Sequence, residues 1–222
     1  MDGPTRARIA AAAERSGTAL VLDESLIDLP LHTDTAPEPF AMSAGPDAVT
    51  ISVGSLSKVH WGGLRVGWLR APAPLVDELA ADRTVADIGS PVIEQLVALT
   101  LLEHHDEVAA ERRALLRSAY GALTESLATE LPGWSYRPPA GGIAAWVDIG
   151  APLSTRLAVA AVDHGVRLTS GPRFGTGGSF ERHIRIPFVL PPADLRAAIT
   201  RLAVVAAGLG PTPRVTDHDA VI

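Results

Sequence analysis

The amino-acid sequence predicts an α/β protein: a mostly parallel sheet joined by a long helix to a small α+β lobe. Three observations predict it. Two short strand patterns, the continuously apolar residues 19–22 and residues 49–53, are each followed by polar groups, and a continuously apolar strand is expected when both faces of a parallel sheet are covered. A helical pattern then runs from Val92 to about Glu130. Beyond it, short strand patterns alternate with two amphipathic helices. The expected division is 1–105 for the sheet-bearing domain, 106–210 for the small lobe and 211–222 for a frayed tail.

Taken in order, residues 5–16 form an amphipathic helix. Ile9, Ala12 and Ala13 face inward, Arg6, Arg8, Glu14 and Arg15 face outward, and Gly17 ends the helix. Strand 19–22 runs straight into Asp23 and Glu24. Carboxylates at the C-terminal end of a buried parallel strand lie where open α/β sheets bind ligands. Residues 30–46, rich in Pro, Thr and Ala, form a loop. Strand 49–53 ends at Gly54 and the turn Ser55-Leu56-Ser57-Lys58. Residues 64–69 are a third strand, with glycines on either side of Arg65. Two strands thus deliver Asp23 and Lys58 to one edge of a sheet.

Residues 75–81 form a short helix. Ser90-Pro91 then reads as an N-cap followed by proline at the first helical position. The long pattern that follows is one bent helix or two, with Gly121 as its weak point. Strands 134–137 and 143–149 flank Pro138-Pro139-Ala140-Gly141-Gly142. Helix 154–164 is closed by Gly165. Strands 166–169 and 183–189 follow, and helix 192–208 presents Leu195, Ile199 and Leu202 on one face.

Composition narrows the function classes. With 222 residues, 47% hydrophobic content and modest charge density, the chain is a packed globular protein and not a disordered one. A net charge of −6 leaves no basic footprint for nucleic acid. The absence of cysteine excludes disulfides and thiolate metal sites. His104 and His105 are adjacent and do not share a helix face, so no metal is expected there. No apolar run is long enough to span a bilayer and no signal peptide opens the sequence, so a cytoplasmic location is expected.

Of the 19 basic residues, Lys58 is the one lysine. An amine, unlike a guanidinium, can lose its proton, attack a carbonyl and form an imine. Alone, Lys58 reads equally as a surface lysine. Arg65 alone reads as a surface charge, Asp23 alone also as a helix cap, and Arg185 alone as an edge-strand residue.

The motifs together carry more. Ser55-x-Ser57-Lys58 followed by Gly63-Leu64-Arg65-x-Gly67 resembles the lysine motif of the class I/II (fold type I) aminotransferases, which bind pyridoxal 5′-phosphate (PLP). Val21-Leu22-Asp23-Glu24 resembles that family's strand-end aspartate. Pro139-x-Gly141-Gly142-x-x-x-Trp146 and His183-Ile184-Arg185-Ile186-Pro187-Phe188 resemble its small-domain motifs. The wording Trp61-Gly62-Gly63-Leu64-Arg65-x-Gly67-Trp68 is most similar to the MocR branch of GntR-type transcription regulators.

The resemblance implies a partial fold type I large domain joined to the small C-terminal domain. It implies PLP as cofactor, with Lys58 attached to its aldehyde and Asp23 facing the pyridine nitrogen. Ser55, Arg65 and, secondarily, Ser57 take the phosphate, the glycines letting the backbone approach it. Arg185 takes the α-carboxylate of an amino-acid ligand. The family pattern places a tyrosine three positions after the strand aspartate, whereas Leu26 stands here and donates no hydrogen bond.

The family also carries a substantial segment ahead of Asp23, so the chain reads as the C-terminal part of a larger protein. Its missing strands would leave an apolar edge, which predicts association, with a homodimer as the expected assembly, or a poorly folded first ~90 residues. DNA is expected as a partner only through a winged helix absent from this chain. Three functions follow: the effector-sensing part of a MocR-type regulator, an aminotransferase acting between an amino acid and a 2-oxo acid, or a non-catalytic dimerisation fragment.

Overall fold

A computed structural model describes residues 1–45, 47–87 and 89–209. The expected tail at 211–222 lies outside the described residues. The chain divides into two compact units, Met1–Ala114 with Ala140–Gly142, and Leu115–Pro139 with the chain from Ile143 onward.

The first unit opens with α1 (Gly3–Ser16). It begins earlier than the periodicity suggests because Asp2 caps it, accepting from the Thr5 N–H at 2.8 Å, with proline in the first turn. Gly17 ends it in the left-handed region, at φ 63°. Its buried residues are Ala10 and Ala13; Ala12, expected inward, is exposed.

A three-stranded sheet follows, in the order β1 (Leu20–Asp23), β2 (Thr50–Ser55), β3 (Gly67–Arg70). β1 and β2 are parallel, with Asp23 opposite Val53. β3 is antiparallel to β2, with Ser55 opposite Gly67, because the turn between them is too short for a crossover. β3 starts later than expected, since the chain from Leu64 to Val66 is occupied in the turn that carries Arg65. The loop before β2 holds a 3-10 turn, Phe40–Ser43, with Phe40 buried. The Phe40 N–H donates to Glu24 Oε1 at 2.6 Å.

Helix α2 (Ala73–Ala86) buries none of its residues. The long helical pattern is two helices, α3 (Val92–Glu103) and α4 (His105–Glu130). The break falls at His104, not at Gly121, which sits inside α4. Ser90 does not cap α3; its hydroxyl accepts from Arg83 instead, at 2.8 Å. Leu56 and Leu64 pack on Ala98 of α3, with Val66 and Leu101 against them. This cluster clamps both ends of the Lys58 turn onto α3. The rest of α3 leaves Val92, Ile93, Leu96, Leu99 and Leu102 exposed.

The second unit is built on an antiparallel sheet in the order β4 (Ser135–Tyr136), β5 (Ala144–Asp148), β7 (His183–Pro187), β6 (Thr169–Ser170). α5 (Ser154–Val162), α6 (Pro192–Gly208) and the later turns of α4 supply its helices. Ala145, Val147, Ile184 and Ile186 bury one sheet face. Leu195, Ile199 and Leu202 of α6 are buried as their spacing predicts, and Val205 joins them. Phe188 is fully buried beside Tyr120. No described helix is long and apolar enough to cross a membrane.

Candidate functional site

The site in the first unit grows from the parallel pairing of β1 and β2. Parallel strands end at the same sheet edge, so Asp23 and the turn after Ser55 emerge together. The Leu56 N–H donates to Val66 O and the His60 N–H to Leu56 O, closing the turn around Lys58. Val59 is buried inside it while Lys58 is exposed. Ser55 Oγ accepts from the Ser57 N–H at 3.2 Å, which fixes the hydroxyl beside the turn.

Asp23 accepts from the Ser25 N–H at 3.0 Å. Hydrogen bonding by Ser25, and more weakly the Lys58 charge, hold its carboxyl below the usual carboxylate range. Asp23 is therefore ionised at neutral pH and is exposed, with Ser25 as its hydrogen-bond donor. Glu24 points elsewhere, to the Phe40 N–H.

Arg65 adopts φ 55°, in the left-handed region that disfavours a side chain. Only Arg65 and Phe180 do so among the described non-glycine residues. Backbone of this kind persists where the surroundings over-determine it, and it clusters at ligand sites. Here the Leu64 N–H to Trp61 O bond on one side and β3 on the other fix it.

The glycines of this motif have a different use from the one expected. The space of a side chain at Gly54 is filled by the Trp68 indole, and that at Gly63 by the Trp61 indole. Gly67 lies against the Gly54 carbonyl, where a Cβ would approach to 2.7 Å. Only Gly62 faces open space. Gly54 and Gly63 make room for indole rings and Gly67 for strand pairing.

Sequence reasoning missed a polar chain beside Lys58. His60 Nε2 and His105 Nδ1 are 3.1 Å apart, and His105 Nε2 lies 3.5 Å from Asp28 Oδ2. Arg113 donates to the Asp28 carbonyl at 3.1 Å. His60 Nδ1 is buried without a partner, which suits the tautomer in which Nε2 carries the proton and donates to His105. Burial, then the His105 charge, pushes the His60 imidazole below its ordinary value. Leu26 stands partly exposed at 37% and reaches towards Gly142.

Arg185 belongs to the second unit. It stands opposite Trp146, so the two share the sheet face away from the core. Its guanidinium lies 5.9 Å from the Phe174 ring centre. Ala144, Ala145, Trp146, Phe174, Phe180 and Arg185 line a cavity of about 390 Å³. The pairing register that brings Trp146 to Arg185 is not readable from sequence. The glycines around Phe174 and Phe180 were the one signal that this segment approaches other backbone closely.

The model of the family "Aminotransferase class I and II" matches residues 4–202. The chain belongs to that family. Among its aminotransferase relatives is the 3-methylarginine biosynthesis aminotransferase ArgM of Streptomyces arginensis. It is 30% identical over 213 residues, which are 93% of this chain and 54% of that protein. The HTH-type transcriptional regulator YdfD of Bacillus subtilis is 27% identical over 163 residues, 71% of this chain and 33% of that protein. Among solved aminotransferase structures, LysN, the alpha-aminoadipate aminotransferase of Thermus thermophilus, superposes with a TM-score of 0.85 at 26% identity. The match covers 92% of this chain and 54% of that one, and LysN was complexed with N-(5′-phosphopyridoxyl)-L-leucine. The chain spans about half the length of the curated aminotransferases it matches.

Pyridoxal 5′-phosphate is the cofactor this family membership supports. The donor set fits it: an exposed amine, an ionised carboxylate without a basic hydrogen-bond partner, a hydroxyl fixed by its neighbour and a guanidinium held on strained backbone.

Proposed function

We propose that this chain binds PLP through the β1–β2 edge and senses an amino-acid ligand as the effector part of a MocR-type regulator. The observation that carries PLP binding is the strained Arg65 on the turn that also presents Lys58, next to an ionised Asp23. When bound, PLP supplies an aldehyde for covalent attachment and a pyridine ring that accepts electron density. Lys58 holds the aldehyde and Asp23 keeps a proton on the ring nitrogen. Arg65 and Ser55, helped by Ser57, bind the phosphate by charge-assisted hydrogen bonds. Arg185 binds the carboxylate of the amino acid.

The regulator reading is supported by the Trp61–Trp68 wording and the likeness to the HTH-type regulators. Leu26, which cannot hydrogen-bond to a cofactor, also favours sensing over turnover. A second reading is an aminotransferase, favoured by the names of the relatives with the higher identities. In that case Lys58 also moves the proton after the amino acid displaces it. The exposed apolar side chains of α3 support association into a homodimer.

Titrating the chain with PLP tests the shared part. A saturable long-wavelength absorbance band is expected in the native chain and its loss in Lys58→Ala. In the whole protein, DNA binding that responds to PLP and amino acid without keto-acid formation supports the regulator. Sustained keto-acid formation with no DNA binding supports the enzyme.

A further inference from the structure

The walls around Arg185 carry more than a carboxylate contact. Arg185 is the one charged residue lining its cavity, and it makes no ion pair with any described residue. The other large walls are rings. Trp146, Phe174 and Phe180 are 36%, 44% and 46% exposed. Trp146 meets Phe174 and Phe180 edge to face, at ring separations of 5.3 and 5.7 Å, and stacks flat on His183. Aromatic rings left open in this way offer edges and faces to a further ring.

Phe180 is held there at a conformational cost. Its backbone sits at φ 64°, a region that bulky residues avoid. Two glycines make the position possible. At Gly171 a Cβ would fall within van der Waals distance of the Phe180 carbonyl, and at Gly175 it would lie 2.8 Å from the Phe180 ring. The His183 N–H donates to Phe180 O at 2.8 Å and locks the segment. Gly171 thus makes room for the Phe180 backbone and Gly175 for its ring. A far-end carboxylate or guanidinium on a ligand, as on aminoadipate or arginine, finds no counter-charge on these walls.

We propose that the ligand held by Arg185 is a monocarboxylate with an aromatic side chain, and that Trp146, Phe174 and Phe180 select that side chain. This rests on the reading of Arg185 as the carboxylate contact. The volume of about 390 Å³ lies within the range of small-molecule sites. The guanidinium takes the carboxylate in a paired hydrogen bond, and the ligand's ring completes the edge-to-face set around Trp146.

The test uses the 222-residue chain and calorimetric titration with 3-phenylpropanoate, propanoate and glutarate. 3-Phenylpropanoate is expected to bind at least about tenfold tighter than the other two, the discrimination a buried ring gives. Arg185→Gln should weaken it by about tenfold or more. Phe180→Ala should reduce the preference for the aryl acid to about threefold or less, while Phe180→Tyr keeps it. Phe174→Leu serves as a second probe of the walls, with unchanged circular dichroism showing that each variant folds. Equal or tighter binding of glutarate overturns the proposal. So does an aryl preference that survives both Phe180→Ala and Phe174→Leu, and so does the absence of saturable, Arg185-dependent binding. PLP attachment to Lys58 is measured on the same samples. Attachment without aryl preference sinks only this inference; aryl preference without attachment sinks only the cofactor reading.

Discussion

Asp23 closes β1 and Lys58 follows β2, and the lysine charge helps to hold the aspartate carboxyl below its usual range. The two meet because β1 and β2 are parallel and end at one edge. Apart from the local bond from Ser25, the Asp23 side chain makes no hydrogen bond or ion pair with another described residue. Asp23→Asn should therefore weaken PLP binding by about tenfold or more, since a hydrogen bond to a charged group contributes about 1.5–3 kcal/mol. Its unfolding free energy should change by less than about 0.5 kcal/mol. Parallel PLP and urea titrations check both. Unchanged PLP affinity would remove Asp23 from the site.

Arg65 pays for its position in backbone strain, at φ 55°. Glycine tolerates that region without penalty. Arg65→Gly is expected to stabilise the fold by up to about 1 kcal/mol while weakening the binding of PLP, and of inorganic phosphate competing with it. A residue kept for stability would show the opposite: a lower urea midpoint with PLP affinity unchanged.

His60 predicts a pH dependence. Its ring is held below its ordinary value by burial and by the His105 charge, opposed by Asp28. The unfolded chain gains a proton near pH ~6.5, and the folded ring gains it only at lower pH. This contribution to stability is complete above about pH 6.5 and is lost as the pH falls toward the folded value. Urea midpoints should thus fall more steeply between about pH 7 and pH 5.5 in the native chain than in His60→Gln. Parallel curves would show that the His60–His105–Asp28 chain is not coupled to folding.

Phe188 is fully buried in the second unit, with its ring centre 5.2 Å from that of Tyr120. Phe188→Ala should cost about 3–5 kcal/mol, transfer and cavity together. A loss below about 1 kcal/mol would mean that the core collapses around the gap.

Most strands, the sheet edge carrying Asp23 and Lys58, and the face of the last helix were legible in the sequence, whereas the strand expected at 166–169 forms only at Thr169–Ser170 and the one expected at 64–69 only from Gly67. Apolar runs and helical periodicity report burial directly, and the motif spacing places Arg65 beside the lysine turn. What stayed hidden depended on pairing. The break at His104 falls within the polar run Glu103-His104-His105-Asp106-Glu107, which holds no glycine or proline to mark it, and Gly121 is tolerated inside α4. The use of Gly54 and Gly63 to seat indole rings needed the positions of Trp68 and Trp61. His60 and His105 are 45 residues apart and meet only in the fold. The aromatic walls beside Arg185 required the β5–β7 register and the left-handed turn at Phe180.

The most direct test of the central claim is to incubate the chain with PLP, reduce it with borohydride and map the modified peptides by mass spectrometry. A single stoichiometric phosphopyridoxyl group is expected on Lys58, diminished by Asp23→Asn and by Arg65→Ala. Modification confined to the N-terminal amine, or labelling of Lys58 that neither substitution reduces, would contradict it.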